Sequence, residues 1–315
     1  MAPFFHLASQ RDVTIGIEGP KMMHVDILQF LSSGLSRGSI YALVGVGFAL
    51  IYNASNIINF AQGEFVMLGG MLTAFFVVTA GVAPLWAAIP IAVLVTTVAG
   101  IALYRFAVEP ARHAGLLPLI IITLGASFLL RGLVEVSLGK REFVFPAFSG
   151  DATFHAFGAS MGAQTLWILG VLPATAVLLW WFFNKTTFGK AIRATAQSPL
   201  AAQLVGIDTR MVLIVSFALA AALGAIAGIL TTPITLTRYD VGIVLGLKGF
   251  AAAMLGGIGN PFGALVGGLI VGLSEALTGG LISSGYQDAV AFLLILGALL
   301  CRPQGLFGRA SAERA

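Results

Sequence analysis

Between residues 27 and 301 the chain repeatedly runs for roughly 17 to 25 residues with almost no charge, long enough to cross a hydrocarbon layer as a helix. Nine such segments can be marked, at about 27–52, 60–80, 84–104, 116–138, 166–183, 211–231, 241–256, 262–279 and 285–301. The runs are continuous and do not alternate, which points to helices and not to a barrel. Composition agrees: 58% of the 315 residues are hydrophobic and 10% charged, against about 25% charged in a soluble domain. The expected fold is an all-α polytopic membrane protein with eight to nine spans. The seventh segment is short and holds Lys248, and the first is polar in its front half, LSSGLSRGS, and could break there. No linker divides the chain, so one membrane domain over 27–301 is expected, preceded by 1–26 and followed by a tail over 302–315.

Cation placement sets the orientation. Arg105, Arg112 and His113 fall between the third and fourth segments, Lys185, Lys190, Arg193 and Arg210 between the fifth and sixth, and Arg302, Arg309 and Arg314 in the tail. Placing all three groups in the cytoplasm puts 139–165 outside, and parity then puts the start of the chain outside as well. A net charge of +4 is read as cytoplasmic loops facing membrane lipid, with no nucleic-acid partner. The single Cys301 makes neither a disulfide within the chain nor a metal site.

Three stretches are polar or glycine-rich where a membrane chain is usually neither. In NIINFAQGEF, Asn59 sits where a helix N-cap belongs, Gln62 completes a capping-box spacing, and Glu64 falls in the first turn, where the helix dipole favours a carboxylate. The same three residues are also candidates for a gate or a partner contact. The long loop 184–210 carries its own helix signals. Thr187 to Gln197 reads as a short helix with Lys190 and Arg193 on one face; Ser198 and Pro199 start a second, and Gly206 ends it in a left-handed conformation. These helices either lie on anionic lipid or receive a soluble partner, and their small residues favour the partner. In MLGGIGNPFGALVGG, residues 254 to 268, Gly256, Gly257 and Gly259 allow a tight turn before Asn260-Pro261 restarts a helix. MLGG also occurs at 67–70, and transporters often carry inverted repeats.

GSIYALVGVGFALIY with NIINFAQGEF, then FGKAIRATAQSPLAAQLVGI, then LKGFAAAMLGGIGNPFGALVGG, taken in order from about residue 28 to 308, resemble the permease subunit of a branched-chain amino acid ABC importer of the LivH type. The resemblance implies two cytoplasmic ATPase subunits, a paralogous permease subunit, a periplasmic binding protein and a place in the bacterial inner membrane. It assigns ATPase coupling to Gly189, Ala191, Arg193, Ala196, Ser198, Pro199, Ala201 and Gly206. Gly256, Gly257 and Gly259 are read either as a turn with close helix packing or as a second ATPase contact or moving gate. One departure is Arg37, where such permeases would carry an apolar or small residue. Arg131 and Glu135 are spaced to pair along one helix, while Lys248 and Glu275 stand as isolated intramembrane charges. No phosphate-binding G-x-x-x-x-G-K-[ST] loop, H-E-x-x-H or nucleophile–base pair is found, so ATP hydrolysis is expected on other chains and no cofactor or metal on this one. The rivals are the same machinery carrying urea, a short amide or an aromatic acid, and a transporter working alone.

Overall fold

The computed structural model describes residues 20–308, apart from 113, 151, 157, 158 and 303. Residues 1–19 of the expected N-terminal segment, and His113, Arg309 and Arg314 among the expected cytoplasmic cations, lie outside the described residues. The elements are α1 (Pro20–Ser55), α2 (Gln62–Ala74), α3 (Leu85–Leu103), α4 (Leu116–Leu138), the hairpin strands β1 (Thr153–Ala156) and β2 (Ala159–Gly162), α5 (Ala163–Lys185), α6 (Thr187–Gln197), α7 (Pro199–Leu204), α8 (Thr209–Thr235), α9 (Val241–Gly256), α10 (Pro261–Leu281) and α11 (Gln287–Cys301). π-turns extend α2 to Thr79 and α3 to Val108.

Eight helices among the described residues are long and apolar enough to span, and α9, with 16 residues, is the short ninth. α1 is unbroken through LSSGLSRGS, because Ser32, Ser33 and Ser39 return their hydroxyls to carbonyls of the preceding turn and so leave the helix intact.

Small residues set the packing. Gly34 lies against Leu273 and Ala276, and Gly38 against Gly268 and Leu269, so α1 and α10 run antiparallel at close range. α9 and α10 form a second antiparallel pair, with Gly256 against Gly263 and Ala252 against Gly267. α2 runs parallel to α8, Phe65 beside Gly224 and Gly70 beside Thr232. α1, α2, α8 and α9 thus make the centre, and α3, α4, α5 and α11 stand outside with largely uncovered apolar faces.

The bundle has two ends. The finish of α1, α5 and α9, the start of α10 and residues 304–308 meet around one groove. Arg210 bonds Glu109 at 2.6 Å and brings the turn after α3 and the start of α8 to the same end. This end therefore gathers the basic stretches at 105–112, 184–210 and 302–308. At the other end Gln29 exchanges hydrogen bonds with Ser160 in the hairpin, and Phe143 bridges Thr237.

α2 departs from the sequence reading. The gap between the first two apolar segments, residues 52–60, reads as a turn at the cytoplasmic end, but of these residues only Asn56 is exposed. α1 ends with Asn56 in the left-handed region, and the chain then runs back into the bundle without helical structure until Gln62. Gln62 Nε2 donates to the carbonyl of Ala220 at 2.9 Å. Ala220 is the twelfth residue of α8, so α2 starts about 16 Å from the basic end, near the middle of a ~30 Å hydrocarbon layer. α9 mirrors this. The chain leaves α8 through Leu236, also at positive φ, and α9 begins with Gly242 against Gly63, about 21 Å from its own end at Gly256. The N-termini of two half-helices thus meet at depth, as inverted repeats would place them. Gly63 and Gly242 are the point of contact between them.

Candidate functional site

Non-helical backbone at membrane depth is tolerated only inside protein with its polar groups satisfied. That requirement answers why NIINFAQGEF is polar. Ser55 Oγ accepts from the Ile57 N–H at 3.1 Å, Asn59 Oδ1 from Ala61 N–H at 3.1 Å, and Thr123 Oγ1 of α4 from Phe60 N–H at 3.3 Å. Asn59 is therefore not the N-cap of α2. The cap position is Ala61 and has no side-chain bond, and Gln62 turns to α8 instead of closing a capping box. Asn59 serves the segment before the helix, and the cap falls two residues later than the spacing suggested.

Glu64 does lie in the first turn of α2, but with a stronger partner than a dipole. Its Oε1 accepts from Arg131 Nη2 at 2.6 Å and from Ser127 Oγ at 2.7 Å, both on α4, and the residue is 1% exposed. Arg131 is thus taken from Glu135, which instead holds Lys140 at 2.8 Å. The helical spacing was right for a pair, yet a buried carboxylate across the interface competes better for the guanidinium than an exposed one on the same helix. The Glu64 Oε2 atom lies beside Gly242 at the start of α9. One carboxylate therefore meets the positive ends of both half-helices and one arginine. Lys248 and Glu275, expected to be isolated, bond each other at 2.8 Å, and Arg37 lies 3.6 Å from Glu275.

At the basic end α6 and α7 form as their local signals indicate. Thr186 caps α6 by accepting from the Gly189 N–H, and Ser198 caps α7 by accepting from the Ala201 N–H at 3.2 Å, with Pro199 first in the helix. Gly206 has φ +83°, and Ile207 N–H returns to the Ala202 carbonyl. The candidate residues then divide. Gly189 is packed so tightly on α5 that a Cβ there would strike the Phe182 carbonyl. Arg193 donates to the Phe183 carbonyl and to Asn184 Oδ1, tying α6 to the end of α5 instead of standing free at a rim. Ala191 is half-buried on the side of α6 that meets the core. Ala196 lines the groove, and Ala201 is open to solvent on α7. Around Ala201, Leu200, Leu204 and Val205 are 72%, 81% and 77% exposed. These bulky uncovered side chains form more of the α7 surface than the small ones.

The groove beside α6 encloses about 1040 Å³. Tyr52 of α1, Asn56 just beyond it, Lys190 and Gln197 of α6, and Gly259 line it. Gly256 sits behind it, while Gly257 lines it although buried. Gly256 lets α9 touch α10, and Gly257, at φ +104°, receives the turns of 304–308, whose Leu306 and Phe307 N–H groups bond the carbonyls of Leu255 and Gly256. Asn260 caps α10 through the N–H groups of Phe262 and Gly263. Of the three glycines only Gly259 is exposed in the groove. Sequence reasoning missed the partners of Arg131 and Lys248. The only signal available was the cost of a lone charge in a span, which demands a partner without naming it.

A helical membrane bundle with two half-helices meeting at its middle, and a helix-lined groove at one end, defines a multi-pass membrane permease. The chain belongs to the family described as the branched-chain amino acid transport system permease component, whose model matches residues 30–299. It is 33% identical over 91% of its length, and 97% of the relative's, to the high-affinity branched-chain amino acid transport system permease protein LivH of Escherichia coli. It is 32% identical over 94% of its length, and 99% of the relative's, to the corresponding BraD protein of Pseudomonas aeruginosa. Among solved structures, a chain of PsaBC from Streptococcus pneumoniae in complex with Fab aligns over 90% of this chain and 97% of its own, with a TM-score of 0.51 and 13% identity, a likeness of fold alone.

Proposed function

We propose that this permease is the membrane-spanning subunit of an ATP-driven importer of branched-chain amino acids, and that α6 and α7 are its contact with a cytoplasmic ATPase. The observation that carries the reading is α7. It is a short helix capped at both ends and outside the spans, and Leu200, Leu204 and Val205 on and just after it are uncovered in this chain. An uncovered apolar face marks an interaction surface for a protein or for lipid, and the helical punctuation around it favours the protein. A stand-alone transporter has no need of one. The Gly189 contact and the Arg193 bonds fix α6 to α5, so a push on α7 reaches the spans through packed backbone instead of a loose loop.

On this reading the basic end is cytoplasmic, two ATPase subunits dock there, and the hairpin end faces a periplasmic binding protein that delivers a zwitterionic amino acid. A paralogous permease subunit completes the path. The groove, with Gly259 on its wall, is the part of the cytoplasmic face that moves. The reading is tested by reconstituting the chain in vesicles with its genomic neighbours. Uptake of leucine, isoleucine or valine that requires both the ATPases and ATP supports it. Uptake by the chain without ATPases supports the stand-alone transporter, and uptake of urea in place of leucine moves the cargo.

A further inference from the structure

Four charged side chains meet between α1, α9, α10 and α11, apart from the groove and from Glu64. Lys248 Nζ donates to Glu275 Oε1 at 2.8 Å and to Tyr41 OH at 3.3 Å, and lies 2.7 Å from Asp288 Oδ1. Arg37 closes the cluster, 3.6 Å from Glu275 and donating to Gln287 Oε1 at 3.2 Å. Two cations face two carboxylates, so the cluster is neutral as a whole. Glu275 is fifteenth in α10 and Asp288 second in α11, whose last residue is Cys301. At 1.5 Å per residue both carboxylates lie about 20 Å from the basic end, inside a ~30 Å hydrocarbon layer.

Burial across the cluster is uneven. Lys248 and Glu275 are nearly closed off, but the Asp288 side chain is 71% exposed and that of Arg37 43%. A carboxylate and a guanidinium at this depth cannot look out into hydrocarbon. The surface between α1 and α11 therefore faces either water or polar groups of the neighbouring permease subunit. Glu275 Oε2 is also buried without a hydrogen-bond partner, so the cluster holds an unused acceptor behind Lys248.

We infer that this cluster lines the aqueous path and receives the head group of a zwitterionic α-amino acid, an inference that rests on the importer reading above. The ammonium is taken by Asp288 and the carboxylate by Arg37, the two open members of the cluster, with Lys248 and Glu275 as the buried pair behind them. A zwitterion exchanges internal ion pairs for equivalent ones, and the net charge of the site stays zero as cargo arrives and leaves. Such exchange holds the cargo loosely enough to release it, which passage requires. Val244, one helical turn before Lys248 and half exposed, offers apolar surface for a branched side chain.

The test uses the assembled transporter in vesicles, with Cys301→Ala as background. Asp288→Cys should react with a charged, impermeant thiol reagent, and Leu296→Cys, two turns along α11, should not. Leucine-loaded binding protein with ATP should slow the reaction at position 288. Asp288→Asn keeps the side-chain shape and leaves Lys248 paired with Glu275; it should reduce leucine uptake about tenfold or more while the ATPases still co-purify. An unreactive Asp288→Cys, a labelling rate indifferent to loaded binding protein, or normal uptake by Asp288→Asn overturns the inference. Absence of leucine uptake by the unmodified complex would instead overturn the importer reading, so the two failures are distinct.

Discussion

Gly63 and Gly242 touch backbone to backbone where the half-helices α2 and α9 begin: a Cβ on Gly242 would lie 2.6 Å from the Gly63 carbonyl oxygen, and one on Gly63 would strike the carbonyl of Gly242. Neither obstacle is a flexible side chain, so backbone must shift. Gly63→Ala and Gly242→Ala should each destabilise the fold by about 1–3 kcal/mol, the usual range for overpacking. Gly125→Ala, where a Cβ meets nothing within 4 Å, is the control. Thermal unfolding in detergent reads the difference, and equal midpoints for Gly63→Ala and Gly125→Ala would contradict the contact.

The Glu64–Arg131 pair should be coupled and should matter to the fold. Removing one partner of a buried pair strands a charge and costs about 3–5 kcal/mol. Glu64→Gln is therefore expected to lower folded yield sharply, and Glu64→Gln with Arg131→Gln to recover part of it. Arg131→Gln with Glu135→Gln should show no such coupling, because Glu135 holds Lys140. Additive losses in the first double variant would argue against the pair.

Asn59 supports unstructured backbone at depth, so its loss should affect stability before selectivity. Asn59→Ala leaves the Ala61 N–H without its acceptor, at a cost of about 1–3 kcal/mol. Thr123→Val, which strips the acceptor of the Phe60 N–H, should behave alike. Full folded yield with abolished transport in either variant would favour a gate role for this stretch.

Some of this architecture was legible in the sequence, and the reason is range. α4 and α9 have the bounds that their apolar runs suggest, and α6 and α7 end where Ser198, Pro199 and Gly206 indicate, because capping is decided by neighbours in the chain. The half-helix was hidden. Ile57, Ile58 and Phe60 are as apolar as a span, and nothing local says that they run extended into the bundle. Arg131 was paired with Glu135 since only short-range spacing is visible in one sequence, whereas Glu64 reaches it from 67 residues away through packing. Arg37 looked anomalous for the same reason, its partners Glu275 and Gln287 arriving with α10 and α11.

The two ends of the bundle make sidedness simple to check. In a Cys301→Ala background, single cysteines at Ala111 and Gln203 should react only from the cytoplasmic side, and one at Ala152 only from outside. External reaction at Gln203 would invert the bundle and remove the basis for docking an ATPase on α7.

Docking itself turns on α7. Ala201 is solvent-exposed between Leu200 and Leu204, so a bulky residue there meets no part of this chain and leaves the spans unchanged. The most direct measurement is co-purification of the ATPase with Ala201→Trp protein, alongside ATP-dependent leucine uptake in vesicles. The account predicts a folded permease with the thermal midpoint of the unmodified chain, loss of the ATPase and loss of uptake. Retention of the ATPase with normal uptake would contradict it.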